Sequence, residues 1–269
     1  MNGTLLFLFV AGILAGSIAN ALADDLPQRR NPRLPRYPDD TPRPFLTWLG
    51  ILAFLLGKRS SPSGAKLSWR YPAAELATGA LFIATAITAG QREGVDTLQL
   101  LYFLIYMAIF VLITVIDLEH RLILFVVIIP SCIIALLDAV TTSHRPDFVQ
   151  ALLGAAIGFG TFFLFYVGGF MFTRIMGSIQ GREITEVAFG YGDVMLITLS
   201  GLILGAGPLL VAMFFTVFLG AGGAILYLVV RRIRGKHVSA FTPLPYGQYI
   251  VIATIILLLF SDQIRSALL

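Results

Sequence analysis

Eight stretches of this chain are almost free of charge and dense in Leu, Ile, Val, Phe and Ala: 5–22, 73–90, 98–116, 122–140, 149–172, 194–205, 208–230 and 246–261. A helix crosses the ~30 Å hydrocarbon core of a bilayer with about 20 apolar residues, and most of these runs approach that length. In hydrocarbon every backbone N–H and C=O must be paired internally, which leaves helices as the way for such runs to fold. The expected fold is therefore all-α, a polytopic integral membrane protein with about eight transmembrane helices. Composition agrees: 57% of residues are hydrophobic and 13% charged, against about a quarter charged in soluble domains. The weakest span is 194–205. The break after it, Gly205-Ala206-Gly207-Pro208, reads as a tight hairpin rather than a kink in one longer helix, because Gly and Pro together mark a turn.

Three regions follow in order. Residues 1–22 hold the first helix. Ala21-Leu22-Ala23 before Asp24 resembles a signal-peptide cleavage site, but Met1-Asn2-Gly3-Thr4 carries no basic side chain, so the run is read as a retained span. Residues 23–72 are rich in Pro and Arg, and six prolines from Pro27 to Pro44 exclude a long helix there. Within this loop Trp48–Gly57 is apolar but too short to cross, which suits an interfacial or re-entrant piece with Trp48 at headgroup level. Residues 73–269 form a membrane-embedded core of seven helices.

Charge sets the orientation. If 23–72 is cytoplasmic and the spans alternate, the inside loops 23–72, 117–121, 173–193 and 231–245 hold all of the 19 Lys and Arg except Arg92, Arg145 and Arg265. That asymmetry supports a cytoplasmic 23–72 loop and extracytoplasmic chain ends. The net charge of +4 and pI near 9.4 thus reflect topogenic loops. They do not indicate nucleic-acid binding. The partner implied is the lipid bilayer. On this count Asp117, at the end of the third span, and Asp193, at the start of the sixth, both lie at the cytoplasmic face.

Acids at span edges are the candidates for chemistry, since an ionisable group in a span costs about 2.5–3.5 kcal/mol on insertion scales. Asp117 has a plain reading as the first residue of a polar loop, and Asp193 as a helix N-cap. Gly190 and Gly192 before Asp193 permit close backbone approach. Glu75 opens the second span, where an acid is favoured by the helix dipole; Asp138 lies near the outer end of the fourth span, within reach of headgroup water. Two carboxylates brought within hydrogen-bond distance share one proton. The ionised member then draws a proton from water while the neutral one polarises a carbonyl. Metal chemistry has little support: His120, His144 and His237 fall on different loops, and the one cysteine, Cys132, is mid-run. The small-residue pairs Gly12/Gly16, Gly154/Gly158 and Gly201/Gly205 suit close helix packing.

Five segments in order carry a resemblance: Gly16-Ser17-Ile18-Ala19-Asn20 with Leu26-Pro27, Arg70-Tyr71-Pro72-Ala73-Ala74-Glu75-Leu76, Ile116-Asp117-Leu118-Glu119-His120-Arg121-Leu122-Ile123, Phe189-Gly190-Tyr191-Gly192-Asp193-Val194, and Pro245-Tyr246-Gly247. Together they are similar to the prepilin peptidase family, the membrane aspartic enzymes that process type IV pilin-like precursors. The resemblance implies a catalytic pair of Asp117 and Asp193, supported by Gly190, Gly192, Glu75 and Glu119, in a bacterial cytoplasmic membrane. It also implies removal of a short basic leader from pilin-like precursors at the cytoplasmic face, with Glu119, Glu183 or Glu186 available to recognise basic groups. Two departures stand out. Many relatives carry two CxxC pairs in the first cytoplasmic loop, which bind zinc, and also methylate the new N-terminus. That loop here has no cysteine, so no zinc is expected, and S-adenosylmethionine is a cofactor only if methyl transfer is retained. The residue two after Asp193 is often Lys and here is Met195; positions two apart point to different helix faces, which leaves the acid pair intact.

Two other readings remain open from the residues. A proton- or cation-coupled transporter would place its acids near the bilayer midplane and repeat its halves. A presenilin-like intramembrane protease shares Gly-x-Gly-Asp but pairs it with Tyr-Asp, where this chain has Ile116-Asp117.

Overall fold

The computed structural model describes residues 3–92, 94–144, 146–180, 190–233 and 246–268. Nine α-helices account for most of them: α1 (Gly3–Asp25), α2 (Gly50–Leu55), α3 (Arg70–Ala89), α4 (Thr97–His120), α5 (Phe125–Thr141), α6 (Phe148–Gln180), α7 (Tyr191–Leu204), α8 (Ala206–Ile233) and α9 (Gly247–Leu268). Among the described residues the only β pairing is two isolated bridges, Arg36 with Pro42 and Ser60 with Lys66. The all-α expectation holds, and each of the eight apolar runs is helical over most of its length, the fourth only from Phe125.

Among the described residues, five helical stretches are long and apolar enough to cross a membrane: Gly3–Gln28, Arg70–Ala89, Thr97–His120, Phe148–Ile175 and Ala206–Val230. The others, Phe125–Thr141, Tyr191–Leu204 and Gly247–Phe260, are shorter. The 14 residues of α7 rise only ~21 Å at 1.5 Å each. Large apolar side chains stand exposed along α1, α5, α6 and α8, among them Phe7, Ile18, Val140, Leu164 and Phe218, as a lipid-facing surface requires.

Contacts divide the chain into two compact units, Met1–Val127 and Ile128–Leu269. In the first, α1, α3 and α4 pack against one another and α2 lies on α3. Two glycines make the α1–α3 approach possible. A Cβ on Gly12 would stand 2.7 Å from the Gly79 Cα, and one on Gly16 2.7 Å from the Glu75 Cα. In the second unit α6 packs on α7 and α8, and α9 packs on the same two helices. Here a Cβ on Gly154 or Gly201 would collide with backbone of the other helix, and one on Gly158 would meet the Ile197 carbonyl at 2.8 Å. The small-residue pairs thus sit where helix backbones meet, the usual way membrane helices gain contact.

Boundaries moved where hydropathy and helix-forming tendency disagree. α1 continues to Asp25 and α4 to His120, because no glycine or proline halts them at the first polar side chain. Asp117 consequently lies in the last turn of α4, not in a loop. Likewise α6 runs eight residues past the apolar run's end at 172, to Gln180. α7 and α8 are separated by one residue, Gly205, whose φ of 74° is open to glycine and strained for other residues. Pro72 sits in the first turn of α3, where its missing N–H costs nothing.

The Pro/Arg-rich segment contains no long helix, as its prolines dictate, yet it is well packed. Tyr37, Ala53, Leu67 and Tyr71 form a buried cluster with Phe54 against it. Its arginines do more than mark topology. Arg33 donates from Nη2 and Nε to Asp25 Oδ1 at 2.7 and 3.1 Å, while its backbone N–H reaches Oδ2 at 2.8 Å. Arg43 is buried, donates to the Thr47 and Trp48 carbonyls, and lies 5.3 Å from the centre of the Tyr71 ring.

Adding one methyl group tests the helix contact. Gly201→Ala should destabilise the detergent-solubilised protein by about 1–3 kcal/mol, the range for overpacking. Gly160→Ala, with open space at its Cβ, should be neutral or stabilise by up to about 1 kcal/mol through helix propensity. Thermal unfolding of the two variants side by side checks the contrast.

Candidate active site

Among the described residues, Asp117 is the least satisfied acid. It is 5% exposed, and its Oδ2 is buried without a hydrogen-bond partner. Buried carboxylate oxygens are nearly always paired, so an orphan of this kind calls for an explanation, and a catalytic role is one. α4 ends three residues after it, at His120: Arg121 adopts the left-handed conformation at φ 54° and its N–H donates to the Asp117 carbonyl at 2.8 Å. The side chain therefore projects from the final turn of a helix.

Asp193 sits at the opposite kind of helix end, in the first turn of α7. The N-cap is Gly190, in extended backbone, and Asp193 is the third helical residue. Its Oδ2 accepts from the Gly190 N–H at 3.2 Å, the carboxylate half of a capping box. The expected N-cap role thus falls to Gly190, and Asp193 reaches back to it because a carboxylate at that position spans one turn. Gly190 itself does not use glycine's positive-φ freedom, and a Cβ there would make only ordinary contacts, with Asp193 Oδ2 at 3.6 Å and the Gly192 N at 3.9 Å. Gly192 is the residue between Tyr191 and Asp193 in that first turn.

Glu75 turns out to hold structure. It is fully buried on α3, and its two oxygens accept from the N–H groups of Gly50 at 2.5 Å and Ile51 at 2.8 Å. Those are the first donors of α2, which would otherwise be orphaned. Neighbouring motif residues work the same way. Ser17 Oγ donates to the Trp48 carbonyl and Asn20 Nδ2 to the Tyr71 carbonyl, both at 3.0 Å.

Glu119 is ion-paired with Arg70, whose Nη2 also meets Asp24 Oδ1 at 2.5 Å. The Tyr71 hydroxyl donates to the same Asp24 carboxylate. This link joins the end of α1, the start of α3 and the end of α4, beside a cavity of about 310 Å³ lined by Asp24, Asp25, Arg33, Tyr71, Glu119 and others. Sequence alone does not mark Asp24 and Arg70 as site residues. Opposite charges at the ends of two runs on one predicted side were the available signal. Outside the spans, hydrogen bonds from Ser61 and then Ser63 hold the Asp39 carboxyl below the usual carboxylate range, and burial pulls the Arg43 guanidinium down.

Asp138 is buried and accepts from the Thr142 hydroxyl at 2.9 Å. Its burial departs from the headgroup-water expectation, because a hydroxyl one turn on supplies a partner inside the protein. Tyr246 and Tyr249 on the second unit seat against Gly220 and Gly223 of α8, which leave space for the rings. Glu183, Glu186, Phe189, His237 and Pro245 lie outside the described residues. A zinc site of the four-cysteine type does not fit this chain. Its only cysteine, Cys132, lies in α5, and among the described residues no three His, Cys, Asp or Glu gather as a metal site.

The sequence profile of the type IV leader peptidase family matches residues 104–226, a stretch that includes both Asp117 and Asp193. Prepilin leader peptidase/N-methyltransferase of Bacillus subtilis is 30% identical over 266 residues, covering 96% of this chain and 95% of that protein. The chain belongs to the type IV leader peptidase family. Proteins with the same name from Myxococcus xanthus and Pseudomonas aeruginosa are each 30% identical, over 90% and 78% of this chain and 68% and 64% of their own. No solved structure gives a significant match. Membership and the apolar helices together make this an integral membrane protein.

The α2 cap is open to direct test. Glu75→Ala leaves two buried N–H groups unpaired and should destabilise the protein by about 1–3 kcal/mol for each group that water cannot reach. Glu75→Gln, which keeps one acceptor, should lose less. Chemical denaturation and protease sensitivity of the 50–56 segment provide the measurement.

Proposed function

We propose that this chain is an aspartic endopeptidase of the bacterial cytoplasmic membrane that removes the leader from type IV pilin-like precursors. Asp117 and Asp193 form its catalytic pair, at the cytoplasmic face. The observation that carries the reading is the Asp117 carboxylate, buried at the end of α4 with an oxygen left unpartnered. Family membership and the relatives' printed names support the substrate class. Acids in the last turn of one helix and the first turn of another suit boundary chemistry better than a coupling site at the bilayer midplane. The reading includes eight spans with extracytoplasmic ends, supported by the charge asymmetry of the loops, and a membrane-embedded peptidase core over 73–269.

In this mechanism the pair carries one proton, because two adjacent carboxylates resist double ionisation. The ionised carboxylate takes a proton from water, and the resulting hydroxide adds to the scissile carbonyl carbon. The neutral partner donates its proton to the carbonyl oxygen, giving a neutral tetrahedral intermediate. Collapse restores the C=O, breaks the C–N bond and delivers a proton to the leaving amine. The chain's own residues supply every proton transfer, and no metal is invoked. Cleavage without methylation is the expected outcome, since the loop that bears the cysteines in many relatives has none here. S-adenosylmethionine would enter only if methyl transfer survives in this chain.

Asp117→Asn and Asp193→Asn should each reduce processing of a co-expressed pilin-like precursor by at least about a thousandfold, as loss of an essential catalytic group does. Protein levels in the membrane should be unchanged. Full processing by either variant would sink the dyad. Mass spectrometry of the mature N-terminus reads cleavage and methylation together, and an unmethylated product is expected.

A further inference from the structure

We propose that Arg70 is a positioning residue for Asp117, holding the last turn of α4 in place by bridging Asp24 on α1 to Glu119 on α4. Its catalytic consequence rests on the role assigned to Asp117 above. The bridge itself lies wholly within the first unit.

The last turn of a helix is the easiest to open. On α4 that turn carries a buried carboxylate with an orphan oxygen, which would gain hydration by opening. It also ends in a non-glycine residue at φ 54°, a further cost of the closed form. Something must offset both. Glu119, two residues beyond Asp117, is tied to Arg70 Nη1, while Arg70 Nη2 holds Asp24 Oδ1 at 2.5 Å. The Arg70 side chain is 13% exposed, so water screens these pairs less than on an open surface. Its guanidinium lies 4.3 Å from the centre of the Tyr71 ring, and the Tyr71 hydroxyl donates to both Asp24 oxygens at 3.0 and 3.1 Å. Only a planar fork reaches two carboxylates on different helices while stacked on a ring; a lysine ammonium is a single point. Tyr71 is in turn fixed through its carbonyl by Asn20. The chain of contacts runs from the α1–α3 packing to the turn that bears Asp117.

Position 117 can be read independently of activity. In the full-length protein in membranes, Cys132→Ser combined with Asp117→Cys leaves one thiol, whose maleimide labelling rate reports opening of the turn. Adding Arg70→Ala should raise that rate about tenfold or more, the scale of one lost charge-assisted hydrogen bond. Glu119→Ala should do the same, and it serves as the test if Arg70→Ala fails to accumulate. Arg33→Ala, which breaks the Asp25 and Asp40 pairs without touching α4, should leave the rate unchanged. With Asp117 intact, Arg70→Ala should lower kcat for precursor cleavage about 10- to 100-fold at unchanged KM, as small misplacements do, and Arg70→Lys should recover part of it. Unchanged labelling in both Arg70→Ala and Glu119→Ala, or an equal rise in Arg33→Ala, overturns the bridge. Raised labelling with wild-type cleavage overturns the positioning role if Asp117→Asn is inactive. If Asp117→Asn is itself active, the catalytic reading of Asp117 is what fails.

Discussion

Helices in a membrane gain nothing from hiding apolar surface from one another, since lipid is as apolar as the side chains. Contact must come from close packing of backbones. Both units depend on this constraint. Gly12, Gly16 and Gly79 let α1 lie on α3, and Gly154, Gly158 and Gly201 let α6 lie on α7. Each candidate acid inherits its position from one of these contacts. α7, which carries Asp193 in its first turn, is held by α6. The pairing of α1 with α3 sets Asp24 and Arg70 side by side, and Arg70 reaches the end of α4.

The polar residues of the first unit divide by how well they are satisfied. Ser17, Asn20, Arg33, Arg43 and Glu75 each donate to or accept from a defined partner, joining α1, α2, α3 and the Pro/Arg-rich segment. These are fasteners. Asp117 differs, because among the described residues it is the one acid with a buried oxygen that has no partner. A well-fastened scaffold around one poorly satisfied acid is the arrangement expected where strain is retained for chemistry. The family motifs accordingly mix two kinds of residue. The Gly16–Asn20 and Arg70–Glu75 segments build the frame, while Asp117 is left unpaired by it.

Much of this was legible beforehand for physical reasons. Apolar runs forced helices, six prolines denied a long helix in the first loop, and small residues four apart marked the helix contacts. Helix ends were less legible. Hydropathy stops at the first charge, but a helix stops only where a glycine, a proline or a cap stops it. So α4 carried Asp117 inside its last turn, and α7 began early enough to make Asp193 the third residue after a Gly190 cap. From its own helix alone, Glu75 reads as a dipole-favoured acid. Its partners, the N–H groups of Gly50 and Ile51, lie 25 and 24 residues away, and no local pattern announces a capped helix of six residues.

The sequence by itself determined an all-helical membrane protein, the two candidate acids and the family, because hydrophobic length, charge placement and motif order are properties of the chain. Tertiary structure alone decided which polar residues are satisfied. Arg33, Arg43 and Arg70 read as similar basic loop residues, yet they hold Asp25, the Thr47–Trp48 carbonyls and the Asp24–Glu119 pair respectively. Satisfaction of a buried group depends on what the fold brings to within about 3 Å, and that distance is not written along the chain.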